Sequence, residues 1–254
     1  MRNPDAVTGT PGPDDHFDAP IAAGYDRAHA AISTPEAVAP AIDFLAGLAG
    51  AGPALELGVG TGRIALPLAA RGVPVHGIEL SQAMADRLAA KPGGASIGVT
   101  LGDFAAARVE GRFSLAYLVF NTIMNLASQD AQVACFRNVA AHLEPGGRFV
   151  IEVIVPQLQR LPPGQVMHPF HVGESYWGLD EYDVVTQRVT SHHLTFAGDK
   201  VRRRSLPFRY VWPSELDLMA RLAGMTLRER WGGWNREPFT AESRQHVSVW
   251  ETPR

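Results

Sequence analysis

Three glycines at alternate positions, Gly58, Gly60 and Gly62, follow a short apolar run in LELGVGTGR, with a carboxylate, Glu56, just before them and a guanidinium, Arg63, just after. Glycine lets a chain come close to a ligand and turn free N–H groups toward it. The spacing is not that of the dinucleotide fingerprint, G-x-G-x-x-G, whose third glycine would fall on Arg63, and the lysine of a phosphate-cradling loop is missing. Other side chains narrow the ligand. Glu79, ending VPVHGIE, can accept hydrogen bonds from both hydroxyls of a ribose. Asp103 and Phe104, in GDF, offer an acid to an exocyclic amine and a ring to a base. Glu56 repels a diphosphate and attracts an ammonium group. Together they describe an adenosine that carries an amino acid in place of phosphates.

Such residues need a scaffold that sets the ends of several strands side by side. Strand-like runs at 54–57, 73–78, 97–101, 113–120 and 147–155 alternate with helical ones, RIALPLAARG, SQAMADRLAAK and SQDAQVACFRNVAAHL. Ser81 and Ser128 read as N-caps. In the last helix Val133, Phe136, Ala140 and Leu143 share a face. Pro67 predicts a bend or a late start in the first helix, because only the first turn has N–H groups to spare. Buried strands separated by helices imply right-handed crossovers and a parallel sheet covered on both faces. Ahead of them, 25–48 reads as one or two amphipathic helices, with Thr34 and Pro35 as cap and first-turn proline. Beyond Val155 the alternation stops. Residues 156–212 hold two extended runs, DVVTQRVTSHHLTF and KVRRRSLPFRYVW, joined by AGD, which predict a hairpin or small sheet. A helix follows from Trp212-Pro213 to Gly224, then two strands, MTLRERWGGW and QHVSVWE.

The motifs LELGVGTGR, VHGIELS, GDF and HLEPGGRFVIE, in that order, make the chain resemble the class I S-adenosylmethionine-dependent methyltransferases over roughly residues 50 to 155 and the last 40. The resemblance implies an α/β fold: a Rossmann-like seven-stranded, mostly parallel sheet with an antiparallel last strand, helices on both faces, and a small β insertion after strand five. It divides the chain into a disordered tail (1–15), an N-terminal helical lid (16–50), the cofactor-binding core (51–155), the insertion (156–212) and a C-terminal helix and hairpin (213–254). It also implies S-adenosylmethionine as cofactor and S-adenosylhomocysteine as product. Glu56, Gly58, Gly60 and Gly62 would lie under the methionyl part, with Arg63 beside them. Glu79 would hold the ribose, Leu80 would flank the adenine, Asp103 and Phe104 would meet its amine and face, and Phe120 would border the site.

Departures from that family inform the substrate. Strand four ends in Phe120-Asn121-Thr122, where many members carry an acid or a D/N-P-P-Y box, which disfavours methylation of a nucleobase or glutamine amide. No acidic cluster has hard-cation spacing, so no metal is expected. What is left is in-line transfer to a small molecule. The layout is similar to N-methyltransferases of glycine and of antibiotic amino sugars, which favours an amine acceptor. O-methylation is the alternative, and a cofactor-binding regulator without transfer is the reading of a different class. Tyr25 and Asn121 are the candidate catalytic residues. Asn125, Glu152, His168 and His193 are candidates for the substrate side, with His171 and His192 also in the insertion. Each has a plainer reading: Tyr25 as helix packing, the asparagines as turn caps, the histidines as surface residues.

The remaining features bound the problem. The 254 residues carry a formal charge of -3, giving no overall field for nucleic acid or an anionic membrane. In KVRRR an extended chain puts Lys200, Arg202 and Arg204 on one face and Arg203 on the other, as on a guarded sheet edge. No secretory h-region or membrane-length apolar run occurs, and the single Cys135 suits a reducing, cytoplasmic setting. The insertion is read as either a lid or a contact in a homo-oligomer.

Overall fold

Hydroxyl and carboxylate side chains set where the helices begin. In the computed structural model, which describes residues 17–254, Asp18 caps α1 (Ala19–Ala28) by accepting from Ile21 N at 3.1 Å. Thr34 caps α2 (Pro35–Ala49), accepting from Ala37 N at 3.2 Å, with Pro35 in the first position. The tail expected over 1–15 lies outside the described residues. Helix α3 (Ala65–Ala70) starts late, so that Pro67 falls in its first turn, where no N–H is required. Ser81 and Ser128 cap α4 (Gln82–Ala89) and α5 (Gln129–His142), and α6 (Pro213–Leu222) opens on its proline.

Seven strands form the main sheet: β1 (Ala54–Leu57), β2 (Val75–Glu79), β3 (Gly98–Leu101), β4 (Phe113–Leu118), β5 (Leu143–Ile154), then β10 (Thr226–Trp231) and β11 (Gln245–Glu251) from the C-terminus. Their order is β3-β2-β1-β4-β5-β11-β10, parallel except that β11 runs against both its neighbours. This is the Rossmann-like sheet with a reversed last strand that the motifs implied. Strand β4 stops short of Phe120 because Phe120 and Asn121 both take left-handed backbone, φ 56° and 62°. Strand β5 begins earlier than the apolar run does.

Apolar side chains fill both sides of the sheet. Phe136 of α5 meets Phe149 of β5 and Trp250 of β11 edge-on, at centroid distances of 5.1 and 5.5 Å. On the other side Ile42 and Leu45 of α2 pack with Leu68, Leu115 and Tyr117. The buried face of α5 differs from the expected one: Gln132, Cys135, Phe136, Val139 and His142 face inward, while Val133 and Ala140 are half-buried. Polarity misled the reading, since the inward polar groups hold loops. Asn138 donates to the carbonyls of Phe104 and Ala107 (3.0 and 2.9 Å), and His142 Nε2 accepts from Val109 N at 3.0 Å. Burial pushes the Cys135 thiol far above its usual range, which leaves it unreactive.

The insertion is a separate antiparallel sheet of four strands, β6 (Met167–Val172), β7 (Tyr176–Asp183), β8 (Arg188–Ala197) and β9 (Lys200–Arg209), in that order. Sequence patterning found the last two and missed β6 and β7, which prolines, glycines and histidines interrupt. Arg209, 4% exposed, fastens this sheet to the core by donating to Gln132 Oε1 (2.6 Å), Gln187 Oε1 (3.0 Å) and Glu215 Oε1 (2.6 Å). No helix among the described residues is long and apolar enough to cross a membrane.

Candidate active site

Between β1 and α3 the glycine loop is pinned to β2: the N–H groups of Gly58 and Val59 both donate to Ile78 O, at 2.8 and 3.1 Å. At Gly58, φ is +70° and an added Cβ would stand 2.9 Å from Thr122 Cγ2. Glycine there serves both the turn and the close approach of the strand-four end. A cavity of about 600 Å³ opens above the loop.

Two acids border this cavity. Glu79 is fixed by two backbone amides, Gly60 N on Oε2 (2.8 Å) and Ser81 N on Oε1 (2.9 Å). Each carboxylate oxygen keeps a lone pair for a ligand hydroxyl. Burial raises the Glu79 carboxyl, and the two amides oppose that by favouring the charged form. Asp103 accepts from Ala105 N at 2.8 Å through Oδ1, leaving Oδ2 for a donor in the cavity. Leu80, Met84 and Phe104 lie along the wall near them. No lysine or arginine of the glycine loop lines this cavity to receive phosphate. Behind the loop, Glu56 is 3% exposed; burial lifts its carboxyl to about 8 against the hydrogen bond that Tyr117 Oη donates at 2.9 Å.

Helix α1 covers the loop. Asp26 Oδ1 accepts from Thr61 Oγ1 (2.6 Å) and Lys91 Nζ (2.9 Å), and Lys91 also donates to Thr61 O at 2.7 Å. Ser81 Oγ donates to Phe17 O at 2.6 Å. These contacts present Phe17 and Tyr25 to the cavity. Burial holds the Tyr25 phenol above its ordinary range, so it stays protonated.

An aromatic row continues from Tyr25: His29 lies 4.2 Å from it, Phe120 meets His29 edge-on at 5.6 Å, and the Arg63 guanidinium sits 4.8 Å over Phe120. Beyond Phe120 is a second cavity of about 280 Å³. Its rim is the left-handed turn at 120–121, which two side chains secure. Glu152 accepts from Phe120 N and Trp234 Nε1, each at 2.9 Å, and Asn121 Oδ1 accepts from Ile154 N at 2.8 Å.

The candidate residues thus divide. Tyr25, Gly58, Gly60, Glu79, Leu80, Asp103, Phe104 and Asn125 line the larger cavity; Arg63, Phe120, Asn121 and Glu152 line the smaller one. Glu56 lies behind the loop, and Gly62 packs on Leu66 and Leu88. His168 and His193, expected on the substrate side, line neither cavity. His193 Nδ1 is hydrogen-bonded to Tyr176 Oη at 2.6 Å, and His168 pairs in register with Asp180. The motifs did not reveal Phe17, Thr122 and Ser128, or the insertion's contribution to the larger cavity, Arg188, Thr190, Pro207 and Phe208. Thr122 and Ser128 flank named residues; the insertion residues carry no local signal, because only the docking of the second sheet brings them in.

Comparison with known proteins agrees with this geometry. The family described as "Methyltransferase domain" matches residues 54–147. The CcbJ methyltransferase from Streptomyces caelestis superposes with a TM-score of 0.76 at 41% identity, covering 85% of this chain and 89% of that one. The cypemycin N-terminal methyltransferase from a Streptomyces species is 27% identical over 200 residues, 78% of this chain and 82% of that protein. SAM-bound CalS10 from Micromonospora echinaspora, an amino pentose methyltransferase, shares the fold with a TM-score of 0.65 at 22% identity, covering 89% and 95% of the two chains. With a glycine loop, an acid at the end of β2 and this strand order in place, and with such identity to a methyltransferase across most of both chains, the protein belongs to the class I S-adenosylmethionine-dependent methyltransferases.

Proposed function

We propose that the enzyme methylates an amine nitrogen of a small natural-product molecule. The observation that supports this reading is the lining of the larger cavity, where Asn125, Ser128 and Thr190 supply uncharged hydrogen-bonding groups beside the cation of Arg188, and the acids are Glu79 and Asp103 alone. An amine presented there is oriented in its neutral, nucleophilic form. S-adenosylmethionine supplies a methyl already polarised by the sulfonium, which leaves the chain to align the acceptor and exclude water. Helix α1 and the insertion do the excluding, and Asn125 and Thr190 the aligning. The relationship to an enzyme named an N-terminal methyltransferase supports an amine over a hydroxyl. The test is release of S-adenosylhomocysteine across a panel of amino sugars, amino acids, short peptides and matched phenols. Turnover with amines is expected; turnover with phenols alone would overturn the assignment.

Two further outcomes follow from the cofactor side. If Glu79 holds the ribose, Glu79→Gln weakens S-adenosylmethionine binding by roughly 1–3 kcal/mol, the usual worth of a charged hydrogen bond. Calorimetric titration showing unchanged affinity would remove Glu79 from the site. Asp26 is partly exposed, so its ties to Thr61 and Lys91 are screened. Asp26→Ala should speed dissociation of S-adenosylhomocysteine about fivefold, on the order of 1 kcal/mol, and stopped-flow fluorescence reads it directly.

A further inference from the structure

The second sheet brings one cation to the larger cavity. Arg188 and Thr190, two apart on β8, share a face of that sheet, and both line the cavity together with Pro207 and Phe208 of β9. Arg188 stands in register between Asp183 of β7 and Arg209 of β9, and both neighbours are already engaged. Arg209 donates to Gln132, Gln187 and Glu215. Asp183 accepts from Thr186 Oγ1, Val185 N and Thr186 N, and these bonds hold its carboxyl below the usual range ahead of the weaker pull of Arg188. Glu181, the next acid of β7 on that face, is hydrogen-bonded to His192 Nε2 at 2.9 Å. The Arg188 guanidinium makes no hydrogen bond or ion pair among the described residues. An exposed arginine without a partner is ordinarily a solvated surface group, but this one borders the cavity in which transfer takes place.

We propose that the acceptor carries a carboxylate beside the amine it offers, and that Arg188 receives this carboxylate. The planar fork of a guanidinium meets both oxygens of a carboxylate at once. One cation suits one negative charge. A diphosphate would bring two or more into a cavity whose other charged lining, among the described residues, is Glu79 and Asp103, so a nucleotide-linked substrate is disfavoured. The substrate class is then an amino acid or a peptide-like amine with a free carboxyl group, its apolar part set against Pro207 and Phe208. What is methylated rests on the amine reading above; the carboxylate rests on Arg188.

Two probes without an amine test the carboxylate by itself. Calorimetric titration of the enzyme saturated with S-adenosylhomocysteine should show 3-phenylpropionate binding about tenfold more tightly than its uncharged isostere, 3-phenylpropionamide, the lower end for a charged hydrogen-bonded pair because Arg188 is exposed. Arg188→Gln should abolish that preference while leaving the affinity for S-adenosylhomocysteine and the melting temperature unchanged. Arg202→Gln, on the same sheet but lining neither cavity, should keep it. In turnover, L-phenylalanine and L-phenylalaninamide are compared by kcat/KM in wild type and Arg188→Gln; the ratio of ratios cancels their different amine basicities and should favour the acid about tenfold in the wild type. Equal or absent binding of 3-phenylpropionate in the wild type, or a preference intact in Arg188→Gln, overturns the proposal. A preference that depends on Arg188 with no amine turned over would instead sink the amine reading and leave the carboxylate in place. Amines turned over with no advantage to the acid would do the reverse.

Discussion

Gly62→Ala should cost the fold about 2–5 kcal/mol, the sum of left-handed backbone in a residue with a Cβ and overpacking of a filled site. The backbone there has φ +83°, and a Cβ would stand 2.4 Å from Leu88 Cδ1 and 3.0 Å from Leu66 Cγ. Leu88 is fully buried and Leu66 packs against the same small cluster, so neither side chain is free to swing away. For a chain of this size the loss lowers the melting temperature by roughly 5–15 °C. Gly72→Ala is the control: its φ is +86° but nothing lies within 4 Å of the added methyl, so only the backbone share remains. Equal losses in the two variants would show that crowding under the loop is not what selects glycine at 62.

The second large effect is expected at Arg209. Arg209→Met removes the donor that Gln132, Gln187 and Glu215 share and leaves the Glu215 carboxylate, its side chain 14% exposed, without its cation. Breaking one side of such a buried pair costs about 3–5 kcal/mol, whereas replacing both sides by apolar groups is often close to neutral. The double variant Arg209→Met/Glu215→Leu should therefore recover most of the loss in denaturant unfolding. Burial alone would raise the Glu215 carboxyl, but hydrogen bonds from Arg209, Gln187 and Gln129 outweigh it and hold the group below its usual range. Its contribution is present above the ordinary carboxylate range and is lost as pH falls through the lowered value, so wild type and single variant should converge on acidification. Gln132 also donates to the carbonyls of Ile123 and Leu126, and Leu126 lines the larger cavity. Arg209→Met is thus expected to spare cofactor binding and depress turnover, and a variant equally impaired in both would count against that division.

The cofactor half of the molecule was legible because its signals are local. A strand, a glycine turn and a capped helix repeat within short stretches, and Glu79 and Asp103 are marked by standing at strand ends. The acceptor half was not. Strands β6 and β7 lack clean alternation, since Pro169 and Gly178 interrupt them; a Cβ on Gly178 would meet the Phe170 ring at 2.1 Å. The histidines of the insertion drew attention by residue type, yet His192 bonds to Glu181 and Ser205 and His193 to Tyr176, all within the second sheet. Glu152 was rightly singled out as a carboxylate in an apolar strand, and its partners turned out to be a strained turn and an indole, groups distant in sequence.

Helix α1 is tied through Asp26 to Thr61, a residue of the glycine loop itself, and the same helix presents Tyr25 to the cavity. Door and furnace wall are one piece. Any displacement of α1 that opened the cavity would therefore carry Tyr25 away from the glycine loop as well.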